Sequence, residues 1–188
     1  MEGSLNLTGH ILAMPPASNS PNNIFTRSVV LIVQHKLDGA WGLIVNKKNP
    51  KVTLETVMHS VGIEHPYHES TYVGGPVENQ RVFVVHTLDW RGSNTIPITP
   101  EIGVTGDISI LAAINQGEGP KLFRTCIGMC GWAPKQLDGE YKGLPPWNVK
   151  TSWIDAPATI DSVFNLSDDD QWEQAIDIIA TSKVSNWL

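Results

Sequence analysis

The side chains that could do chemistry sit mainly at the ends of apolar runs. His35 closes Val29-Val30-Leu31-Ile32-Val33-Gln34, and His86 closes Val82-Phe83-Val84-Val85. A histidine in that position is either a satisfied polar edge of a core or a titratable group facing a cleft. Arg27, Ser28, Asn46 and Arg124 flank similar runs, and Gly74-Gly75-Pro76 offers consecutive backbone amides that can form an anion nest. If these groups converge, Arg27, Ser28, His35, Asn46, Gly74, Gly75, Pro76, His86 and Arg124 make a cleft able to bind an anion and orient a base. The competing reading makes both histidines structural and Gly74-Gly75-Pro76 a tight turn.

Other patterns carry less. Ser28 has no nucleophile elbow, because no G-x-S-x-G occurs, and neither a P-loop nor G-x-G-x-x-G is present. Cys126 and Cys130 are four residues apart; on a strand they share a face about 13 Å apart, beyond disulfide reach. That spacing is not a zinc pair, so we read them as buried structural thiols. His65-Pro66-Tyr67-His68, beside Glu64 and Glu69, is the nearest approach to a metal cluster. Nothing there fixes a tetrahedral geometry, and a solvated loop is the preferred reading. No catalytic residue, metal or cofactor is assigned.

The elements that must hold these groups alternate in type. His10–Met14 reads as a short strand stopped by Pro15-Pro16. Ser28–Val33 reads as a strand buried on both faces, turned at Asp38-Gly39 into a returning strand over Ala40–Val45. Thr53 caps a helix over Leu54–Val61, with Leu54, Val57, Met58 and Val61 on one face and Gly62 as the stop. Strands follow at Thr71–Val73, Arg81–Thr87 and Leu122–Met129, and a helix carries Ile108, Leu111 and Ala112. Pro134 opens a helix over Lys135–Tyr141. The last helix is capped by Ser167, with Asp168–Asp170 at its positive end and Trp172, Ala175, Ile176, Ile179 and Ala180 as its apolar face. Short hairpin connections favour a mixed α+β sheet in a single domain spanning residues 1–188 over a doubly wound one.

The charge balance narrows the partners. Thirteen Lys+Arg against nineteen Asp+Glu give a net charge of −6. That repels phosphate backbones and disfavours direct nucleic-acid or anionic-membrane binding. Lys47, Lys48 and Lys51 form a short basic run, read as a solvated loop. Neither a signal peptide nor a spanning apolar segment is visible, so a cytoplasmic location is expected.

Several blocks, in order, resemble the YqgE/AlgH family. They are Leu7-x-Gly9-x-Ile11-Leu12-Ala13-x-Pro15, then Phe25-x-x-Ser28 leading to His35, then Asp38-Gly39-Ala40-x-Gly42-Leu43-x-x-Asn46. Tyr72-Val73-Gly74-Gly75-Pro76-Val77 is similar to the family's G-G-P-V block, with His86 at its later histidine. Gly128-x-x-Gly131-Trp132-Ala133-x-x-Gln136-Leu137-x-x-Glu140 is similar to its G-x-x-G-W…Q-L-x-x-E block. Gln34 replaces a usual Glu, and Lys135 replaces a small residue. A family face that binds through that Glu would be weakened here. The resemblance implies a coiled, bifurcated β-sheet with peripheral helices and an association with transcriptional regulation, but no established reaction. We therefore expect a non-enzymatic regulatory or interaction domain with an unidentified protein or small-molecule partner. The alternative is an anion-binding protein or enzyme using the His35/His86 cleft.

Overall fold

The computed structural model describes residues 5–18, 22–64, 68–147, 152–165 and 170–185. Its strands are β1 (His10–Ala13), β2 (Val29–Lys36), β3 (Gly39–Ile44), β4 (Lys48–Thr53), β5 (Ser70–Val73), β6 (Val77–Thr87), β7 (Ile96–Pro97), β8 (Ile102–Thr105), β9 (Phe123–Trp132) and β10 (Ile154–Pro157). The helices are α1 (Leu54–Ser60), α2 (Ser109–Asn115), α3 (Gln136–Lys142) and α4 (Gln171–Ser185). The strand order is β10-β1-β2-β3-β9-β6-β8-β7, with β4 and β5 off that path. Every pairing is antiparallel except β5 with β9, so the sheet is mixed, as expected.

The sheet forks at β9. One stretch, Cys130–Trp132, pairs with β3, while Cys126 and Ile127 pair with β5; β6 runs along β9 as well. Gly128 lies at the fork with φ +77°, and a Cβ there would stand 2.6 Å from the Gly75 carbonyl oxygen. Only glycine tolerates both the left-handed backbone and that approach.

Burial explains the sequence pattern. Val29, Leu31 and Val33 join Leu43, Val85 and Ile102 in one core, which the α4 residues Trp172, Ala175 and Ile179 cover. Val30 and Ile32 enter a second core with Leu12, Ile44, Trp132, Leu137 and Trp153. A strand buried on both faces needs a continuous apolar run, and β2 has one. A third core lies under α1 and α2, where Leu54, Val57, Met58, Ile110 and Leu111 meet Val84. Thr53 Oγ1 accepts the Thr56 amide, and Gly62 follows α1 at φ +79°, so that helix starts and stops where its sequence says.

Some expectations are corrected. Lys48 and Lys51 lie in β4, paired with β5, rather than in a loop; edge position lets both ammonium groups reach solvent. Pro134 precedes α3 in a turn, and the helix opens at Gln136 behind Lys135, whose φ is +65°. The Ser167 cap, Asp168 and the His65-Pro66-Tyr67 stretch lie outside the described residues, as does Trp187.

Candidate functional site

Arg27, Ser28, Asn46 and Arg124 come together around the start of α4, and their bonds hold chain to chain. The Asn46 amide oxygen accepts Val29 N–H at 2.8 Å, and its nitrogen donates to the Arg27 carbonyl at 2.9 Å. Ser28 Oγ donates to the Ile24 carbonyl at 2.8 Å. The buried Arg124 guanidinium donates to the Val45 carbonyl and, at 2.7 Å, to Gln171 Oε1; it also stacks 4.7 Å above the Tyr72 ring. Arg27 pairs with Glu173 at 3.0 Å and lies over Trp172.

Gly74-Gly75-Pro76 packs backbone against backbone. Gly74 N–H donates to the Ile127 carbonyl at 2.8 Å, and its own carbonyl accepts Ile44 N–H at 2.8 Å. A Cβ on Gly74 would fall 2.3 Å from the Gly128 oxygen. The turn contacts β9 where an anion nest would need open amides.

The two histidines do not share a site with each other. His86 is fully buried and stands edge-on to Trp90, with ring centroids 5.4 Å apart. Its Nδ1 donates to the Thr87 carbonyl at 2.9 Å, and Nε2 has no partner. Burial holds its pKa below the ordinary histidine value, against the Thr87 carbonyl and Asp89, which pull the other way. Thr125 Oγ1, one strand over on β9, is buried and also without a partner. Cys126 and Cys130 are free and buried, and burial pushes both thiols up to about 12.

His35 lies at the far end of β2 from Ser28, about 23 Å along the strand. Its Nδ1 accepts Leu7 N–H at 3.3 Å, so Nε2 carries the proton and donates to Asp138 at 3.0 Å. This pair forms the wall of an open groove of about 660 Å³, lined also by Leu5, Asn6, Lys36, Leu37 and Asp38. Leu37, at the β2–β3 turn, is 83% exposed.

The motif residues account for the groove's support. Asp38-Gly39 makes the turn; a Cβ on Gly39, at φ +135°, would lie 2.7 Å from the Trp132 carbonyl oxygen. Gly42 lies as close to the Leu31 carbonyl, and Gly131 pairs with Trp41. Trp132 and Trp153 both donate their indole N–H to Glu140 Oε2, at 3.0 and 2.9 Å, while Gln136 donates to Oε1 at 2.8 Å. The motif thus clamps α3, and with it Asp138, against the sheet.

A further cluster had no signal in sequence spacing. Asp155 Oδ2 accepts His10 Nδ1–H at 2.7 Å, and Oδ1 accepts Tyr141 O–H at 2.6 Å and Lys183 Nζ at 3.1 Å. Burial pushes the Asp155 carboxyl up, but those three donors and the lysine charge outweigh it and hold the group well below the usual carboxylate range. His10 and Asp155 are 145 positions apart. Among the described residues, no three His, Cys, Asp or Glu side chains could hold a metal, and no helix is long and apolar enough to cross a membrane.

Residues 11–182 match the AlgH-like family. A UPF0301 protein of Gluconobacter oxydans is 35% identical over 176 residues, which cover 92% of this chain and 90% of that protein. One from Methylococcus capsulatus is 33% identical over 177 residues, 93% of this chain and 92% of the relative. The solution structure of AlgH from Pseudomonas aeruginosa superposes with a TM-score of 0.74 at 26% identity, over 93% of this chain and 89% of that one.

Proposed function

This chain belongs to the AlgH-like family, and from that premise we propose that it is a non-enzymatic regulatory domain that influences transcription through a protein partner docked in the His35–Asp138 groove. The observation that carries the reading is Leu37. Leu37, 83% exposed at a hairpin tip, lines the groove together with Leu5, and a partner's apolar side chain would cover both. Two carboxylates, Asp38 and Asp138, outweigh Lys36 in the lining, so the partner segment presents an apolar anchor beside a basic residue. Both His35 nitrogens are engaged, which leaves that ring no lone pair for proton abstraction and favours binding over catalysis. The net charge of −6 makes any effect on DNA indirect.

Site-specific photo-crosslinking in cells tests this. A photoreactive residue at position 37 should capture one discrete protein, and the same group at the exposed Val184 should not. Adding Leu37→Asp to a probe at Lys36 should abolish the product. Identical products from positions 37 and 184, or none from 37, would remove the groove as the docking site.

A further inference from the structure

His10 has the geometry of an activated nucleophile that the docking reading does not use. Asp155 is held ionised by three donors, and a carboxylate only accepts, so the His10 proton sits on Nδ1 and the Nε2 lone pair is bare. No described residue bonds Nε2, and the side chain is 28% exposed, so the lone pair is open to approach. Lys183 reaches the same carboxylate from α4 with one of its three N–H donors and is itself half exposed, so it keeps donors for an incoming anionic group. No hydroxyl or thiol lies hydrogen-bonded to Nε2 among the described residues. The ring therefore has nothing on the protein to activate, and the nucleophile is its own nitrogen.

We propose that His10 is a phosphoryl-accepting histidine, modified at Nε2 by a donor of the phosphoramidate (N–P) class. The Nε2 lone pair attacks the donor phosphorus, an N–P bond forms, and the donor's own P–N bond breaks. With phosphoramidate itself, the departing nitrogen takes its proton from solvent and leaves as ammonia. The ring becomes positive as the bond forms, and the Nδ1–H···Asp155 contact stabilises that charge. Lys183, half exposed on the other oxygen of Asp155, adds positive charge to the surroundings of the incoming phosphoryl group. The product adds between one and two negative charges where β1, β10, α3 and α4 meet.

The test uses the full chain and phosphoramidate, with intact mass, phosphorus NMR and fragment mapping. His68 is an internal control, since it makes a comparable pair with Glu55 at 2.6 Å but is 79% exposed and has no lysine on that carboxylate among the described residues. The expected result is one acid-labile, alkali-stable phosphoryl group per chain, on His10, lost in His10→Gln. Asp155→Asn should slow labelling about tenfold or more, and Asp155→Glu should restore it. Labelling of His59 or His68 as fast as His10 would overturn the proposal, as would an unlabelled His10. Mapping on the wild-type chain decides this even if a variant fails to fold.

Discussion

Replacing Glu140 with alanine removes the acceptor on which two buried indoles depend. Trp132 and Trp153 donate to Glu140 Oε2 at 3.0 and 2.9 Å, and both rings are 5% exposed or less. A buried N–H left without a partner costs about 1–3 kcal/mol. Two of them give about 2–6 kcal/mol; Gln136, only half-buried, rehydrates and adds little. Relief of the buried charge's own desolvation pulls the sum toward its lower end. At roughly 3 °C per kcal/mol for a chain of this size, Tm should fall by roughly 6–18 °C. Glu140→Gln keeps an oxygen for both indoles but loses charge assistance and turns its NH2 toward the Gln136 donor, which rehydrates, so it should cost about 1–2 kcal/mol. Urea unfolding followed by tryptophan fluorescence measures both. An alanine variant within about 0.5 kcal/mol of wild type, the scale of an ordinary surface change, or a glutamine variant as damaged as alanine, would refute the clamp.

The pH dependence of stability should carry a His86 signature. Its folded pKa lies below the unfolded value of 6.5, so the unfolded chain binds the extra proton first, and stability falls as pH drops below 6.5. The loss is at most about 1.4 kcal/mol per pH unit, and His86→Phe should flatten it in a urea titration. Asp155 adds a separate window: its stabilisation is present above 3.8 and lost as pH falls below it, and Asp155→Asn should abolish that second drop. Lys135→Gly relieves a left-handed backbone at φ +65° and should stabilise by about 1 kcal/mol, read as a shifted urea midpoint at constant slope. Cys126 and Cys130 should resist a thiol reagent in the native protein and react only after unfolding; fast native labelling would contradict their burial and raised pKa.

What the sequence disclosed depended on range. β2, β3 and α1 were legible because their signals are local: a doubly buried apolar run, an Asp-Gly turn, a Thr cap and a Gly stop. β8 and β10 were not, and β10 exists as a strand through its pairing with β1 rather than through any alternation of its own. β4 was masked by Pro50 and its lysines, which an edge position tolerates. The histidines were found, but not their partners. Asp138 is 103 positions from His35, and no local pattern announces a contact closed by the fork at β9. Gly74-Gly75 was visible as a special backbone site, yet only the fold shows that β9 occupies the space above it.

If this chain acts on transcription through the groove beside Leu37, as proposed, an aspartate at that position should reproduce loss of the whole protein. The most direct measurement is a transcript profile of a strain carrying Leu37→Asp at the native locus, set beside wild type and a deletion. Immunoblotting should first show unchanged protein level, since Leu37 lies outside every core. The Leu37→Asp profile should coincide with the deletion. A profile indistinguishable from wild type, where the deletion differs from it, would contradict the claim.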